Sequence, residues 1–258
     1  MTTIHTLASG SSGNAALVSC GGVHILVDAG ISCRRIGAGL QALGLQMADL
    51  SAILITHTHS DHIQGLGTLC KRFRIPLYAS PAACGELEWR LQAQKPELRP
   101  VTGGFAVEGV SVTAFPTAHD SPGSQGYRVG PVGFLTDTGY VTEEAEQALE
   151  GVSLLVLEAN HDVETLRSGT YPYYLKQRIL GSRGHLSNAD AARFARRCAE
   201  TGTRQILLAH LSRENNTPAM ALAAVEQALS GLDTALAVVP REELSPAYVT
   251  EEETLCRK

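Results

Sequence analysis

The chain has 258 residues, 44% of them hydrophobic, and a formal net charge of -5; this suits a globular chain with a sizeable core, read as one domain over residues 1–258. The acidic balance argues against a broad basic surface for long duplex nucleic acid, while leaving room for a local basic groove that captures a strand end. No stretch approaches the length of a bilayer span and Met1–Thr6 has no basic segment leading an apolar one, so the expectation is a cytoplasmic protein without a membrane partner.

Apolar, β-rich runs at residues 15–20, 23–27, 52–56, 110–115, 132–136, 154–157, 206–209 and 235–239 predict strands. Between them, Ile63, Leu66, Leu69 and Phe73 keep a helical stripe, and Pro81 opens a helix toward Trp89. Ser187-Asn188-Ala189-Asp190 has capping-box spacing, and Thr217-Pro218 supplies an N-cap followed by a first-turn proline. The expected buried face of the first of these helices is Ala191, Ala192, Phe194, Ala195 and Cys198; that of the second is Met220, Leu222, Ala223, Val225 and Leu229. Six cysteines, at 20, 33, 70, 84, 198 and 256, show no C-x-x-C spacing and read as reduced thiols, mostly apolar fillers.

The chemistry concentrates in Thr56-His57-Thr58-His59-Ser60-Asp61-His62, directly after an apolar strand-like run. Alternate residues on an extended chain point the same way, so His57 and His59 can share one ion while Asp61 and His62 turn toward a second. Without a cation, three imidazoles and a carboxylate packed this tightly would be poorly accommodated. Asp28, His119, Asp137 and His210 each follow an apolar run at its carboxyl end. If those strands share one edge, their ends converge on a single site.

With these residues in place, the chain resembles the metallo-β-lactamase superfamily: Asp28, the His57–His62 cluster, His119, Asp137 and His210 match its ordered motifs. The resemblance implies a four-layer αββα sandwich of two mixed β-sheets flanked by helices. It implies one metal on His57, His59 and His119, a second on Asp61, His62 and His210, and Asp137 as the bridge. Residues 7–14, 158–162, 184–188 and 211–216 further resemble the YycJ group of bacterial proteins, which implies 5′-exonuclease activity on DNA. The Gly-His and His-Leu-Ser features are also similar to those of tRNA 3′-processing endonucleases. The cofactors so implied are two divalent ions, with zinc, manganese and iron all suited to these ligands.

Two cations would acidify a shared water until hydroxide is available near neutral pH and would neutralise growing phosphoryl charge, with Asp61 orienting the nucleophile. Asp28 is expected behind the ligands, fixing a histidine or its loop. His185 lies outside the ligand set, after a glycine and before a helix start; leaving-group protonation or transition-state stabilisation is expected of it, against a plain helix-entry role. His161 reads as structural or as a substrate contact, and His5 and His24 as strand residues. Ser12 and Asn14, in a small-residue turn, are open between phosphate contact and a simple hairpin. Ser212, Arg213, Asn215 and Asn216, ahead of a helix N-terminus, are candidates for substrate binding. Residues 167–178 combine cations with Tyr171, Tyr173 and Tyr174, which either stack bases or, as spacing favours, enter the core. Arg34 and Arg35 read either as a phosphate contact or as a solvated helix start.

Metal-dependent hydrolysis of nucleic-acid ends is the first functional reading. A small-molecule phosphodiesterase or thioester hydrolase uses the same centre and is the runner-up. A non-catalytic metal-binding regulator would keep the ligands for stability alone.

Overall fold

The chain divides between two units in the computed structural model, which describes residues 1–250. Residues 1–114, 121–125 and the segment from 240 onward form the first; residues 115–120 and 126–239 form the second.

The first unit opens on a meander, β1 (Thr2–Ala8), β2 (Ala15–Cys20) and β3 (Val23–Val27), with successive strands antiparallel. Direction then changes. Helix α1 (Cys33–Ala42) carries the chain to β4 (Leu50–Leu54), parallel to β3, since parallel neighbours need a crossover. Helices α2 (Ser60–Ile63) and α3 (Leu66–Arg72) lead to β5 (Leu77–Ala79), and α4 (Pro81–Arg90) leads to β6 (Leu98–Pro100). The single stripe expected from Ile63 to Phe73 is thus two helices, broken at Gln64-Gly65. A Cβ on Gly65 would stand 2.3 Å from the Ile31 carbonyl oxygen, so the chain turns where only glycine fits. Leu26, Ile53, Ile55, Leu66, Leu77 and Leu87 lie in the core of this unit. The hairpin β7 (Gly103–Val107) and β8 (Val110–Pro116) follows, the last two residues of β8 belonging to the second unit.

The second unit resumes at the second residue of β9 (Gln125–Val129), which pairs antiparallel with β10 (Val132–Leu135). Helix α5 (Glu143–Leu149) crosses to β11 (Leu154–Glu158), parallel to β10 and buried at every position. Three helices, α6 (Val163–Ser168), α7 (Tyr173–Leu180) and α8 (Asn188–Glu200), precede β12 (Gln205–Ala209), and α9 (Pro218–Leu229) precedes β13 (Ala235–Val238). β11, β12 and β13 are parallel. The chain returns to the first unit with β14 (Tyr248–Thr250), antiparallel to β1.

Both expected caps form, Ser187 accepting from the Asp190 N–H and Thr217 from that of Met220. The α8 face is buried as expected. On α9 the fully buried stripe is Ala221, Val225 and Leu229, at helical spacing of four, and Ala223 faces out. β4 lies two residues upstream of the expected strand, which leaves Ile55-Thr56-His57 as the loop that carries the histidines.

Cys33, Cys70, Cys84 and Cys198 are free and buried; burial pushes the thiol of Cys70 up to about 11 and that of Cys198 to about 12. Cys20 is disulfide-bonded, which corrects the reading of reduced thiols at that position; pairing depends on Cα separation, which spacing in sequence does not encode. Cys256 lies outside the described residues. No helix among the described residues is long and apolar enough to cross a membrane.

Candidate metal centre

In the first unit the parallel pairing of β3 and β4 sets their carboxyl ends side by side, and Asp28 and His57 follow those ends. Asp28, buried and with φ of 60°, accepts the Thr56 N–H at 2.9 Å through Oδ1, and its Oδ2 lies 2.8 Å from Nδ1 of His62. That carboxylate fixes the tautomer: the His62 Nδ1–H donates to Asp28, so Nε2 presents a lone pair. Nε2 accordingly accepts from Asn14 Nδ2 at 3.0 Å, and it stands 3.5 Å from Asp61 Oδ2. His57 uses Nδ1 toward the Thr56 hydroxyl at 3.0 Å and turns Nε2 to within 3.1 Å of His59 Nδ1. Tight backbone packing holds this loop. Asn14 donates its N–H to Asp61 O and accepts from Gly30 N–H, each at 2.8 Å, and a Cβ on Gly30 would meet Asp61 O at 1.6 Å.

In the second unit three parallel strands end together, and Asp137, Glu158 and His210 sit at or just beyond the ends of β10, β11 and β12. Glu158 is fully buried. Its Oε1 accepts Nδ1–H of His185 and of His210, each at 2.8 Å, and its Oε2 accepts the Leu186 N–H at 2.9 Å. Burial would raise this carboxyl, but the His185 charge and the bonds from both imidazoles outweigh it and hold it down to about 2. For His185, burial would lower the imidazole; the Glu158 carboxylate, with Asp137 close by, reverses this and holds it above the usual histidine range. His119 donates Nδ1–H to the Gly184 carbonyl at 3.1 Å, leaving Nε2 3.9 Å from Asp137 Oδ1. Asp137 and His210 have φ of 56° and 55°, a left-handed backbone that non-glycine residues rarely adopt and that concentrates at functional sites.

These donor sets fit a divalent cation. Ligand atoms bound tetrahedrally at about 2.0–2.1 Å lie about 3.3 Å apart, close to the 3.1 Å between His57 and His59 and the 3.5 Å between Asp61 and His62. Asp137, Glu158, His185 and His210 each bring a ligand-type atom within 4.8 Å of the others. His62, His119 and His210 all anchor Nδ1 on an oxygen, the arrangement that orients an imidazole for a metal at Nε2.

Residues 24–211 match the family described as the β-lactamase superfamily domain. Exodeoxyribonuclease WalJ of Streptococcus pneumoniae serotype 2 is 37% identical over 241 residues, covering 90% of each chain. Exodeoxyribonuclease YycJ of Bacillus anthracis is 36% identical over 230 residues, covering 86% of this chain and 87% of that one. This chain belongs to the metallo-β-lactamase superfamily. The metallo-β-lactamase fold protein YhfI of Bacillus subtilis superposes with a TM-score of 0.74 at 17% identity, over 96% of this chain and 98% of its own. The superfamily fold and its divalent-metal chemistry therefore apply to the clusters described above.

Among the other superfamily candidates of the sequence, Ser12 and Arg213 are exposed. Asn14 is half-buried and hydrogen-bonded to Gly10 and to Nε2 of His62. Asn215 and Asn216 are buried. Asn216 exchanges amide bonds with Asn188 and donates to the Ala159 carbonyl, and Asn215 Nδ2 donates to the buried Ser212 hydroxyl at 3.4 Å. Arg34 is exposed and Arg35 bonds the Glu242 carbonyl, a solvated helix start. His5 and His24 lie in β1 and β3. His161 is 1% exposed with neither ring nitrogen hydrogen-bonded, and burial lowers its imidazole to about 4. Tyr173 and Tyr174 are 77% and 74% exposed, against the core packing that spacing favours. Glu158 went unassigned in the sequence, although it carries the same signal as Asp28 and Asp137, an acid at the carboxyl end of an apolar run.

Proposed function

We propose that the chain is a metal-dependent exodeoxyribonuclease that shortens DNA from the 5′ end, a single hydrolase domain with a dinuclear centre. The observation that carries this reading is the 37% identity over 90% of both chains to an exodeoxyribonuclease. In this reading His57, His59 and His119 would hold one ion, Asp61, His62 and His210 the other, and Asp137 would serve both, as superfamily membership supports. The ions come from the zinc, manganese and iron group.

Divalent cations held there would acidify water and neutralise charge on the phosphoryl oxygens. The chain's own groups do the rest. Asp28 holds His62 and the Thr56 backbone in one geometry, and Glu158 does the same for His185 and His210. Asp61 orients the attacking water. As the new P–O bond forms and the ester P–O bond breaks, His185, whose hold on its proton the Glu158 carboxylate strengthens, gives its proton from Nε2 to the leaving oxygen.

The test is a gel assay on matched DNA and RNA oligonucleotides labelled at the 3′ end, with or without a 5′ phosphate, in Mn²⁺ or Zn²⁺. Progressive shortening of DNA from the 5′ end by wild type, lost in Asp137→Ala, is the expected result. Hydrolysis of a small diester with intact oligonucleotides would move the assignment to a small-molecule phosphodiesterase.

A further inference from the structure

Helix α7 is tied to the metal-ligand loops at several points. Arg178 Nε donates to Asp120 Oδ2 at 2.6 Å, and Asp120 Oδ1 stands 3.5 Å from Nε2 of His119. At the end of the helix, Ile179 O accepts the His185 N–H at 3.1 Å, and Gly184 O accepts His119 Nδ1–H at 3.1 Å. The turn between them has no slack. A Cβ on Gly139, two residues beyond Asp137, would fall 2.5 Å from the Ser182 backbone, and one on Gly184 would fall 2.1 Å from Ile179 O. Lys176 Nζ donates to the carbonyls of Arg167 and Gly169, each at 2.7 Å, fixing the start of the helix. The element is therefore rigidly placed against His119 and His185, yet it presents Tyr173 and Tyr174 to solvent at 77% and 74% exposure.

The charge of the same segment is one-sided. Residues 167–183 contain Arg167, Lys176, Arg178 and Arg183 and no Asp or Glu, within a chain of net charge -5; Arg167 pairs with Glu164 and Arg178 with Asp120, while Arg183 stands exposed. Two large exposed aromatics on the same segment as the exposed Arg183 match a polymer with flat apolar rings and anionic links. Stacking tolerates any base, and the cations track the backbone.

We propose that α7 is a landing shelf for the terminal nucleotides of single-stranded DNA, Tyr173 and Tyr174 stacking on bases and Arg183 holding a phosphate. The shelf rests on the nuclease reading for its ligand and adds to it where the strand lies: along α7, one turn from the groups that hold His119 and His185. Asp120, bonded to Arg178, is a positioning residue that links an occupied shelf to His119.

The experiment is fluorescence anisotropy of a 3′-labelled oligothymidylate with the metal-loaded protein, as wild type, Tyr173→Ala, Tyr174→Ala, the matching Phe variants and Arg183→Ala, beside KM for the same oligonucleotide. Each Tyr→Ala should weaken binding roughly 5- to 30-fold, Phe should restore it, and an oligonucleotide with abasic terminal positions should bind wild type as weakly as the Ala variants do. Arg183→Ala should weaken binding and flatten its salt dependence. Wild-type affinity in the Tyr173→Ala and Tyr174→Ala proteins would overturn the shelf, as would no binding by wild type. Unchanged affinity together with a change of oligomeric state would assign the tyrosines to a contact between copies of the chain instead. If wild type binds DNA through the tyrosines but does not cleave it, the nuclease reading fails while the shelf stands.

Discussion

Glu158 Oε1 lies 2.8 Å from Nδ1 of His210, and the same oxygen lies 2.8 Å from Nδ1 of His185. One buried carboxylate thus sets the orientation of an expected metal ligand and of the expected proton donor. The two functions are mechanically joined, because any movement of Glu158 displaces both rings.

Glu158→Gln tests that coupling. The amide is neutral and offers its one carbonyl oxygen to two imidazoles without a charge to hold either. Metal affinity should fall about 10- to 100-fold, read by competition with a chromogenic chelator. Turnover of the metal-saturated variant should fall as well, since His185 loses the carboxylate that orients it and strengthens its hold on a proton. Full activity at saturating metal would show that His185 acts without Glu158.

Gly30→Ala probes the seam between the β1–β2 turn and the histidine loop. The added Cβ would lie 1.6 Å from Asp61 O and 2.6 Å from Asn14 N, and both are backbone atoms that cannot swing aside. The expected cost is about 3 kcal/mol, measured by urea unfolding of metal-free protein, together with weakened metal binding as Asp61 and His62 shift. A variant as stable as wild type would mean that the loop relaxes freely.

His161 should shape the stability profile in mild acid. Burial strips water from its imidazole and lowers it to about 4, with the Glu158 charge offsetting part of the loss. The unfolded imidazole takes up its proton near 6.5, so between those values the unfolded chain binds the extra proton. Stability from this residue is full above about pH 6.5 and is lost as pH falls toward 4, by about 3 kcal/mol. His161→Gln has no such proton to bind, so its stability should fall less over that window in chemical denaturation at stepped pH. Parallel curves for the two proteins would contradict the buried, neutral state.

The placement of the candidate ligands near strand ends was legible in the sequence because it sits where strand chemistry is clearest. His57 to His62 fall in one run, and Asp28, Asp137 and His210 follow long apolar strands, so their positions need no tertiary information. The capped helices α8 and α9 were legible for the same local reason. Three-residue strands such as β5 and β6 are too short for periodicity to register. The break between α2 and α3 depends on a carbonyl of Ile31, distant in sequence, against Gly65. Glu158 and the fate of Asn216 turn on which partners the fold brings to them, and Tyr173 and Tyr174 on which side of α7 meets solvent. Residue types alone do not determine those outcomes.

The most direct test of the proposed metal-dependent nuclease is to titrate Mn²⁺ or Zn²⁺ into chelator-stripped protein and follow shortening of a single-stranded DNA labelled at its 3′ end. Activity should be absent without metal, rise with added ion and level off at two equivalents per chain, a break that Asp137→Ala should lose. Undiminished DNA shortening in the stripped protein, or none at any metal concentration, would contradict the assignment.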